Sequence, residues 1–536
     1  MISKKSFLTL FILCLFSSSL FSKEYNIINY GAVADTSVLS TQAIQKAINE
    51  CTDNGGGQVT IPAGHYKTGT IILKSNVNFH LENGAILYGS KNLDDYIKLK
   101  PAYISLRTQE ATIQLIYAEN VKNVSISGHG EINGQGSGFK KLSWNDEGIT
   151  RPHLLRFITC ENVKIEGITL RNSGCWMQHY LACDQLQIHS VRIFNRNNFN
   201  NDGLDLDGCH NVTVSDIISD SDDDGITLKS TSPRSCENIT ISNCVISSRC
   251  NAIKMGTESN GGFKNISISN CVVKPSEITE PTFFGDKKGT SGITLEIVDG
   301  GIMEGISINN IQIDGTESPI FIRLANRARP YKKGMLIDHV GMVGDISISN
   351  IRAKNTGKIG CSITGQPGFP VNNIRLSDIV IEYEGGGTLE DFRKEPEEKS
   401  KDYPEATMFG TLPAYGFYIR HATNISFDGI HLSTKETELR PALYMDDVKQ
   451  FSISNMQIQS SNQTESNIWV KECQHVIIKG IIVKGKSDCF VSLNGENTSD
   501  ISIINNFLGG TDQVFQHEAN IQKQTIIEQG NIKSSR

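Results

Sequence analysis

The chain runs to 536 residues, room for several ordinary domains or for one long repetitive one. Its 51 basic and 58 acidic residues leave a formal charge of −7, with no basic block of the kind that nucleic acid requires. Glycine is frequent at 48 and proline scarce at 14, and apart from one N-terminal run no segment is apolar enough to cross a membrane.

The N-terminus reads Met1-Ile2-Ser3-Lys4-Lys5, then an apolar run from Phe7 to Phe16, then small residues up to Ser22. A basic start, a short apolar middle and a small residue at the cut predict a signal peptide over 1–22, cleaved near Ser22. The run is too short to span a bilayer as an anchor. The mature chain, 23–536, is expected as one exported domain, secreted or periplasmic. Next, Ser40-Thr41 opens a helix with Ala43, Ile44, Ala47, Ile48 and Cys51 on one face, ending at Gly55-Gly56-Gly57.

From there a repeat dominates. The pattern Asn-(Val/Ile)-x-(Ile/Val) begins at Asn123, Asn162, Asn211, Asn238 and Asn265, with later copies at Asp345, Asn373, Asn424 and His475. The alternation is that of β-strands with one buried face. Each turn cannot bury its apolar face alone and must stack on its neighbours. An all-β, right-handed parallel β-helix fits turns of this length, with the N-terminal helix capping its open end. A second strand per turn aligns Asp202-Gly-Leu-Asp-Leu-Asp with Asp224-Gly-Ile-Thr-Leu-Lys, Asn251-Ala-Ile-Lys-Met-Gly and Ser291-Gly-Ile-Thr-Leu-Glu, then with the segments starting at Ser318 and Tyr415. Its third and fifth residues face the core. The fourth and sixth are expected to face solvent: Asp205, Thr227, Lys254, Thr294, Phe321 and Tyr418, with Asp207, Lys229, Gly256, Glu296, Arg323 and Arg420.

Cys160, Cys183, Cys209, Cys236 and Cys473 each stand two residues before the first repeat position, which suggests a column of buried thiols, with disulfides as the alternative. No CxxC or HxxxH spacing supports a metal, and neither metal nor cofactor is expected. One segment breaks the ladder, Gly385 to Leu412, with a charged run from Glu390 to Glu405. It is either a solvated loop or a border of the groove, since Phe409 to Tyr415 leads straight back into a groove strand.

The stretch Asp220-Ser-Asp-Asp-Asp-Gly225 crowds four carboxylates. Asp220 and Asp222 read as turn residues, whereas Asp224 shares its register with Asp202 one turn earlier and Asp223 precedes it. Three converging carboxylates repel, which raises the pKa of at least one. A raised acid beside ionised partners is what glycosidic hydrolysis needs. The same residues could instead bind calcium or cap backbone amides.

Tyr30-Gly31-Ala32, Thr41 to Ile48, Gly55 to Val59, Ile61 to Gly64 and Gly128 to Gly136 together resemble glycoside hydrolase family 28, the polygalacturonase-like enzymes of the pectin-lyase-like solenoid class. Asn200-Asn201-Asp202 resembles that family's Asn-Thr-Asp motif, and Asp223-Asp224 its Asp-Asp pair. The resemblance implies Asp223 as general acid, Asp202 and Asp224 as the groups activating water, and inversion at the sugar carbon. Two positions depart. Asn251 stands where the family has a histidine, and Thr294-Leu295-Glu296 replaces its Arg-Ile-Lys. His129, in a different motif, is read as structural. A galacturonate carboxylate beside Glu296 would be repelled rather than paired, so a rhamnogalacturonan-like or decorated uronide is expected rather than plain polygalacturonate. Lys229, Lys254, Arg323 and Arg420 share the outward face as candidates for a relocated carboxylate clamp, with Asn251 and Glu296 as further substrate contacts. The rival readings are a lyase using calcium at the aspartates and a non-catalytic glycan-binding β-helix.

Overall fold

A computed structural model describes residues 23–139, 150–277, 288–461 and 463–533. The expected signal peptide at 1–22 and most of the loop between Pro275 and Thr290 lie outside them. The strands form a right-handed parallel β-helix, each pairing in parallel with strands one turn before and after it. Three columns carry the coil. One runs through Gln114–Glu119, His153–Ile158, Gln178–Leu181, Leu204–Asp207, Ile226–Ser230 and Asn251–Ser259. The next includes Glu161–Glu166, Asp184–His189, His210–Ser215 and Cys236–Ser242. The third includes Thr169–Arg171, Arg192–Asn195, Ile218–Ser221 and Val245–Ser248, and each turn then returns to the first column.

The interior is a set of aliphatic ladders. Val163, Leu186, Val212, Ile239 and Ile266 stack on one another, as do Ile165, Ile188, Val214, Ile241 and Ile268, all buried. Each such side chain withdraws apolar surface worth roughly 1.5–3 kcal/mol. The asparagines of the repeat are bend residues. Asn123, Asn162, Asn211, Asn238 and Asn265 adopt left-handed φ between 52° and 57°, a region asparagine tolerates better than most L-residues. Their side-chain amides also stack, Asn162 donating to Asn123 at 2.8 Å and Asn265 to Asn238 at 3.3 Å.

The helix spans Thr41–Asp53 and buries Ala43, Ile44, Ala47, Ile48 and Cys51, the face expected, against the first strands of the coil. The register of the groove column holds through Ser318, but a turn lies between that segment and Tyr415. The strand Cys361–Thr364 pairs with Thr316–Leu324 on one side and with Phe417–Thr434 on the other. Its short run carries only one strong inward aliphatic, Ile363, which hides it in sequence.

The expectation that the fourth and sixth groove residues face solvent is corrected. They point away from the core, yet Asp205, Asp207, Thr227, Lys229, Lys254, Thr294, Glu296, Phe321, Arg323 and Tyr418 are all buried. Loops fold over them. Arg107 reaches across from one side, Arg327 and Arg329 from another, and the segment 395–409 covers the C-terminal part. Gly385 to Leu412 is therefore a packed border of the groove, with a short helix at Leu389–Phe392 capped by Thr388. Among the described residues, no helix is long and apolar enough to cross a membrane.

Candidate active site

Three backbone hydrogen bonds put the key residues in line. Met177 N–H donates to Asp202 O at 3.1 Å, Gly203 N–H to Asp224 O at 2.9 Å and Gly225 N–H to Asn251 O at 2.8 Å. Asp202, Asp224 and Asn251 thus occupy one position on successive turns, about 4.8 Å apart. Glycine must follow Asp224, because a Cβ on Gly225 would sit 2.6 Å from Ala252 O and 2.5 Å from Ile246 Cγ2.

The carboxylates do not share one environment. Asp224 is buried, and its Oδ1 accepts from Asn251 Nδ2 at 2.8 Å while Lys254 Nζ lies 3.1 Å from its Oδ2. Burial pushes its pKa up, but Lys254, Lys229 and the Asn251 bond outweigh it and hold the carboxyl below its usual range. Asp202 is buried with Lys229 Nζ 3.4 Å away. Asp223 differs: it is half-exposed, its Oδ1 accepts from Asp224 N–H at 2.9 Å, and no lysine pairs with it within 4 Å among the described residues. Desolvation and then the Asp224 charge push it up to about 8. One proton-bearing carboxyl thus faces the open space beside two charge-compensated carboxylates.

Around these lies a shell that sequence reasoning assigned only in part. Lys229 also approaches Asp205 at 3.4 Å and Glu258 at 3.9 Å, and Glu258 is bound by Arg107 at 2.8 Å and Arg329 at 2.5 Å. Burial and the neighbouring Asp202 push the Asp205 carboxyl well above its usual range. Arg107 and Lys229 both lie against the Trp176 ring, with Lys229 Nζ 4.7 Å from its centroid. From the covering loop, Tyr403 lies against Lys254 and Glu405 approaches both Lys254 at 3.8 Å and Asn251 at 3.5 Å. Glu405 and Tyr403 were missed because they arrive about 150 residues downstream with no motif around them; their only signal was the loop's return into a groove strand.

The structure therefore brings Asp202, Asp223, Asp224, Asn251, Lys229 and Lys254 together, with Glu296 one turn beyond. Arg323 and Arg420 are not at the acids. Arg323 donates to Thr364 Oγ1 at 3.1 Å and to Glu398 O at 2.5 Å; Arg420 pairs with Glu398 at 2.5 Å and donates to Pro396 O at 2.8 Å. Both pin the covering loop instead of standing ready for a substrate carboxylate. Glu296 is wholly buried against Gly256, and desolvation raises its pKa well above the usual carboxylate range, which weakens the repulsion expected of it. Asp220 is no plain turn residue: buried in its strand, it accepts from Ser276 Oγ at 2.6 Å and Glu277 N–H at 3.1 Å. His129 is exposed and is not among the residues gathered around the aspartates.

Ligand atoms of Asp223, Asp224 and Cys250 lie within 4.8 Å of one another. A divalent cation there would compete with the Lys254 ammonium already paired to Asp224, and burial keeps the Cys250 thiol protonated. The donor set suits proton transfer better than calcium.

Comparison with known proteins adds an independent line. The chain is 28% identical over 256 residues to the exo-poly-α-D-galacturonosidase of Dickeya chrysanthemi, covering 38% of this chain and 42% of that protein. It is 26% identical over 217 residues to rhamnogalacturonase A of Emericella nidulans, covering 40% of this chain and 38% of that protein. The match thus spans less than half the length of each of these relatives. The solved structure of a Yersinia enterocolitica family 28 exopolygalacturonase superposes with a TM-score of 0.62 at 19% identity, over 81% of this chain and 78% of that one, which bears on the fold. The profile of glycosyl hydrolases family 28 matches residues 51–400, and with the aspartates in this arrangement the chain belongs to that family.

Proposed function

We propose that the protein is an exported glycoside hydrolase that cleaves glycosidic bonds in a pectic polysaccharide or oligosaccharide, of rhamnogalacturonan or galacturonan type, with inversion at the sugar carbon. The observation that carries this reading is the unequal state of two adjacent carboxyls: half-exposed Asp223, pushed up to about 8, beside buried Asp224, held ionised by Lys254 and Asn251. Asp223 protonates the leaving glycosidic oxygen. Asp202 and Asp224 take a proton from water as its oxygen bonds to the sugar carbon on the opposite face. Lys254 offsets the burial of Asp224, and Lys229 stands 3.4 Å from Asp202 in the same buried site.

The substrate class is supported by the relatives, one named for galacturonan and one for rhamnogalacturonan. The raised pKa of buried Glu296 weakens the electrostatic objection to galacturonate, so both polymers belong in the test. Export is supported by the sequence of residues 1–22. The test is hydrolysis of polygalacturonate and rhamnogalacturonan, with the first product's anomeric configuration read by NMR. The expected product has the configuration opposite to that of the bond cleaved, carries no ultraviolet-absorbing double bond and forms equally well in EDTA. A retained configuration rejects inversion; an unsaturated product rejects hydrolysis.

A further inference from the structure

Glu405 lies just past the family-matched span of 51–400, yet its carboxylate is buried in the catalytic centre. Its Oε2 accepts from Asn251 Nδ2 at 3.5 Å, and its Oε1 lies 3.8 Å from both Lys254 Nζ and Cys250 Sγ. The same Asn251 Nδ2 donates to Asp224 at 2.8 Å, and the same Lys254 Nζ lies 3.1 Å from Asp224. Two carboxylates thus share one amide and one ammonium. The amide cannot turn away, because Asn251 Oδ1 accepts from Ser291 Oγ at 2.7 Å and from Thr294 Oγ1 at 3.1 Å. The loop that delivers Glu405 is fixed as well: Arg323 and Arg420 grip Glu398 and Pro396, and Lys399 Nζ donates to Met408 O at 2.5 Å.

We propose that Glu405 is a positioning residue of the hydrolytic centre, which divides Lys254 and Asn251 between itself and Asp224 and so sets the pH range over which Asp223 keeps its proton. The inference rests on the hydrolase reading above. The groups facing Glu405 are Asp223 and Asp224 from one turn, Cys250, Asn251 and Lys254 from the next, Glu296 from the turn beyond, and Tyr403 from its own loop. Burial raises the Glu405 carboxyl to about 6, with Lys254 opposing and Asp224 adding to the rise. Above that pH its negative charge takes part of Lys254's attraction away from Asp224 and adds to the repulsion that keeps Asp223 protonated. Removing the charge returns Lys254 wholly to Asp224, and Asp223 then loses its proton at lower pH.

The experiment is the pH dependence of kcat and KM on polygalacturonate and rhamnogalacturonan for wild type, Glu405→Gln and Glu405→Asp, with thermal melts of all three. For Glu405→Gln the alkaline limb of kcat is expected to move to lower pH by about one unit, the scale of one charge removed a few ångströms away in a protein interior. KM is expected to change less than about twofold. Glu405→Asp, which retains the charge, is expected to keep its limb closer to wild type. An unmoved limb in Glu405→Gln overturns the inference, as does a loss carried wholly by KM, which would make Glu405 a substrate contact only. Should Glu405→Gln melt out before assay, the position of the Glu405→Asp limb decides: a limb shifted as far as a neutral side chain would shift it counts against the inference. Wild type inactive on both polymers overturns the hydrolase reading, and this inference with it.

Discussion

Asp223 and Asp224 are neighbours in sequence and opposites in chemistry, and the difference comes from what each side chain meets. Asp224 turns under the covering loop onto Lys254; Asp223 is half-exposed, and among the described residues its side chain bonds only the Asp224 backbone N–H. The repeat register made the three aspartates legible, because residues at equivalent positions of a solenoid must stack. It could not reveal Glu405 or the raised pKa of Glu296, which depend on a loop's path and on burial. Asp223→Asn is expected to lower kcat by about 10²–10⁴-fold with little change in KM, as loss of a general acid does. In wild type kcat should fall above pH 8 or so, where Asp223 loses its proton, and its acid limb should lie below the ordinary carboxylate range, where Asp224 gains one. The same shift has a stability consequence. Between the unfolded carboxyl's value, about 3.9, and the folded value of about 8, the native state keeps a proton that the unfolded chain releases. Stability therefore falls as pH rises through that window. Asp223→Asn should melt above wild type at pH 8, with the gap closing by pH 4, as read by calorimetry; equal melting at pH 8 would contradict the raised value. Lys254→Met does the reverse, stranding Asp224 in a buried site at a cost of about 3–5 kcal/mol in urea unfolding.

At the scale of elements, the asparagine bends announced most of the turns, and the turns they missed explain themselves. Gly305-Ile306-Ser307-Ile308 is a full copy whose bend residue is glycine at φ 69°, and Gln185 serves the same role at φ 55°. A pattern keyed to asparagine passes over both, although the requirement, a left-handed residue before an inward aliphatic, is unchanged. Asn238→Val should therefore cost more than Asn238→Gly, by roughly 1–2 kcal/mol, since glycine accepts that φ and valine does not. The covering loop was the least legible element. Its charges look solvated in sequence, but Glu398 is drawn down by Arg323, Arg420 and His421, and Phe409 lies 5.3 Å from the Arg323 guanidinium. Outward arginines that resembled a substrate clamp are in fact the loop's anchors. Arg323→Ala should free the segment between Glu395 and Phe409 for limited proteolysis several times faster than in wild type, with the scissile bond placed by mass spectrometry. Cleavage elsewhere, or at an unchanged rate, would mean that other contacts hold it.

At the scale of the whole molecule, each turn of a solenoid packs mainly on the turns before and after it, so its stability is approximately a sum over stacked turns. The column Cys160, Cys183, Cys209 and Cys236 is one of those stacks, its members brought together by the register of the strands that follow them. Adjacent parallel strands set Cα atoms about 4.8 Å apart, close enough for a disulfide, and an exported chain would meet an oxidising environment. The alternative reading of the cysteines is therefore geometrically open. What argues against it is the use each sulfur already makes of its surroundings. All twelve described cysteines are buried, and the column thiols donate to backbone carbonyls: Cys160 to Ile158 O at 3.3 Å, Cys209 to Tyr180 O at 3.1 Å and Cys236 to Lys229 O at 3.2 Å. Burial pushes the Cys183 and Cys236 thiols far above their usual pKa, which starves exchange at those two sulfurs of thiolate, whereas the hydrogen bond with Cys183 draws Cys160 down. A bond between neighbouring turns would close a loop of some two dozen residues, worth about 3 kcal/mol, and its reduction would lower the melting temperature by several degrees. The expected result is that melting with and without reductant agrees within about 1 °C, and that thiol reagents label the cysteines of residues 23–533 only once guanidinium has unfolded the coil. A reductant-dependent drop of several degrees would instead show that the turns are stapled, and that thiol packing is not what fills this column.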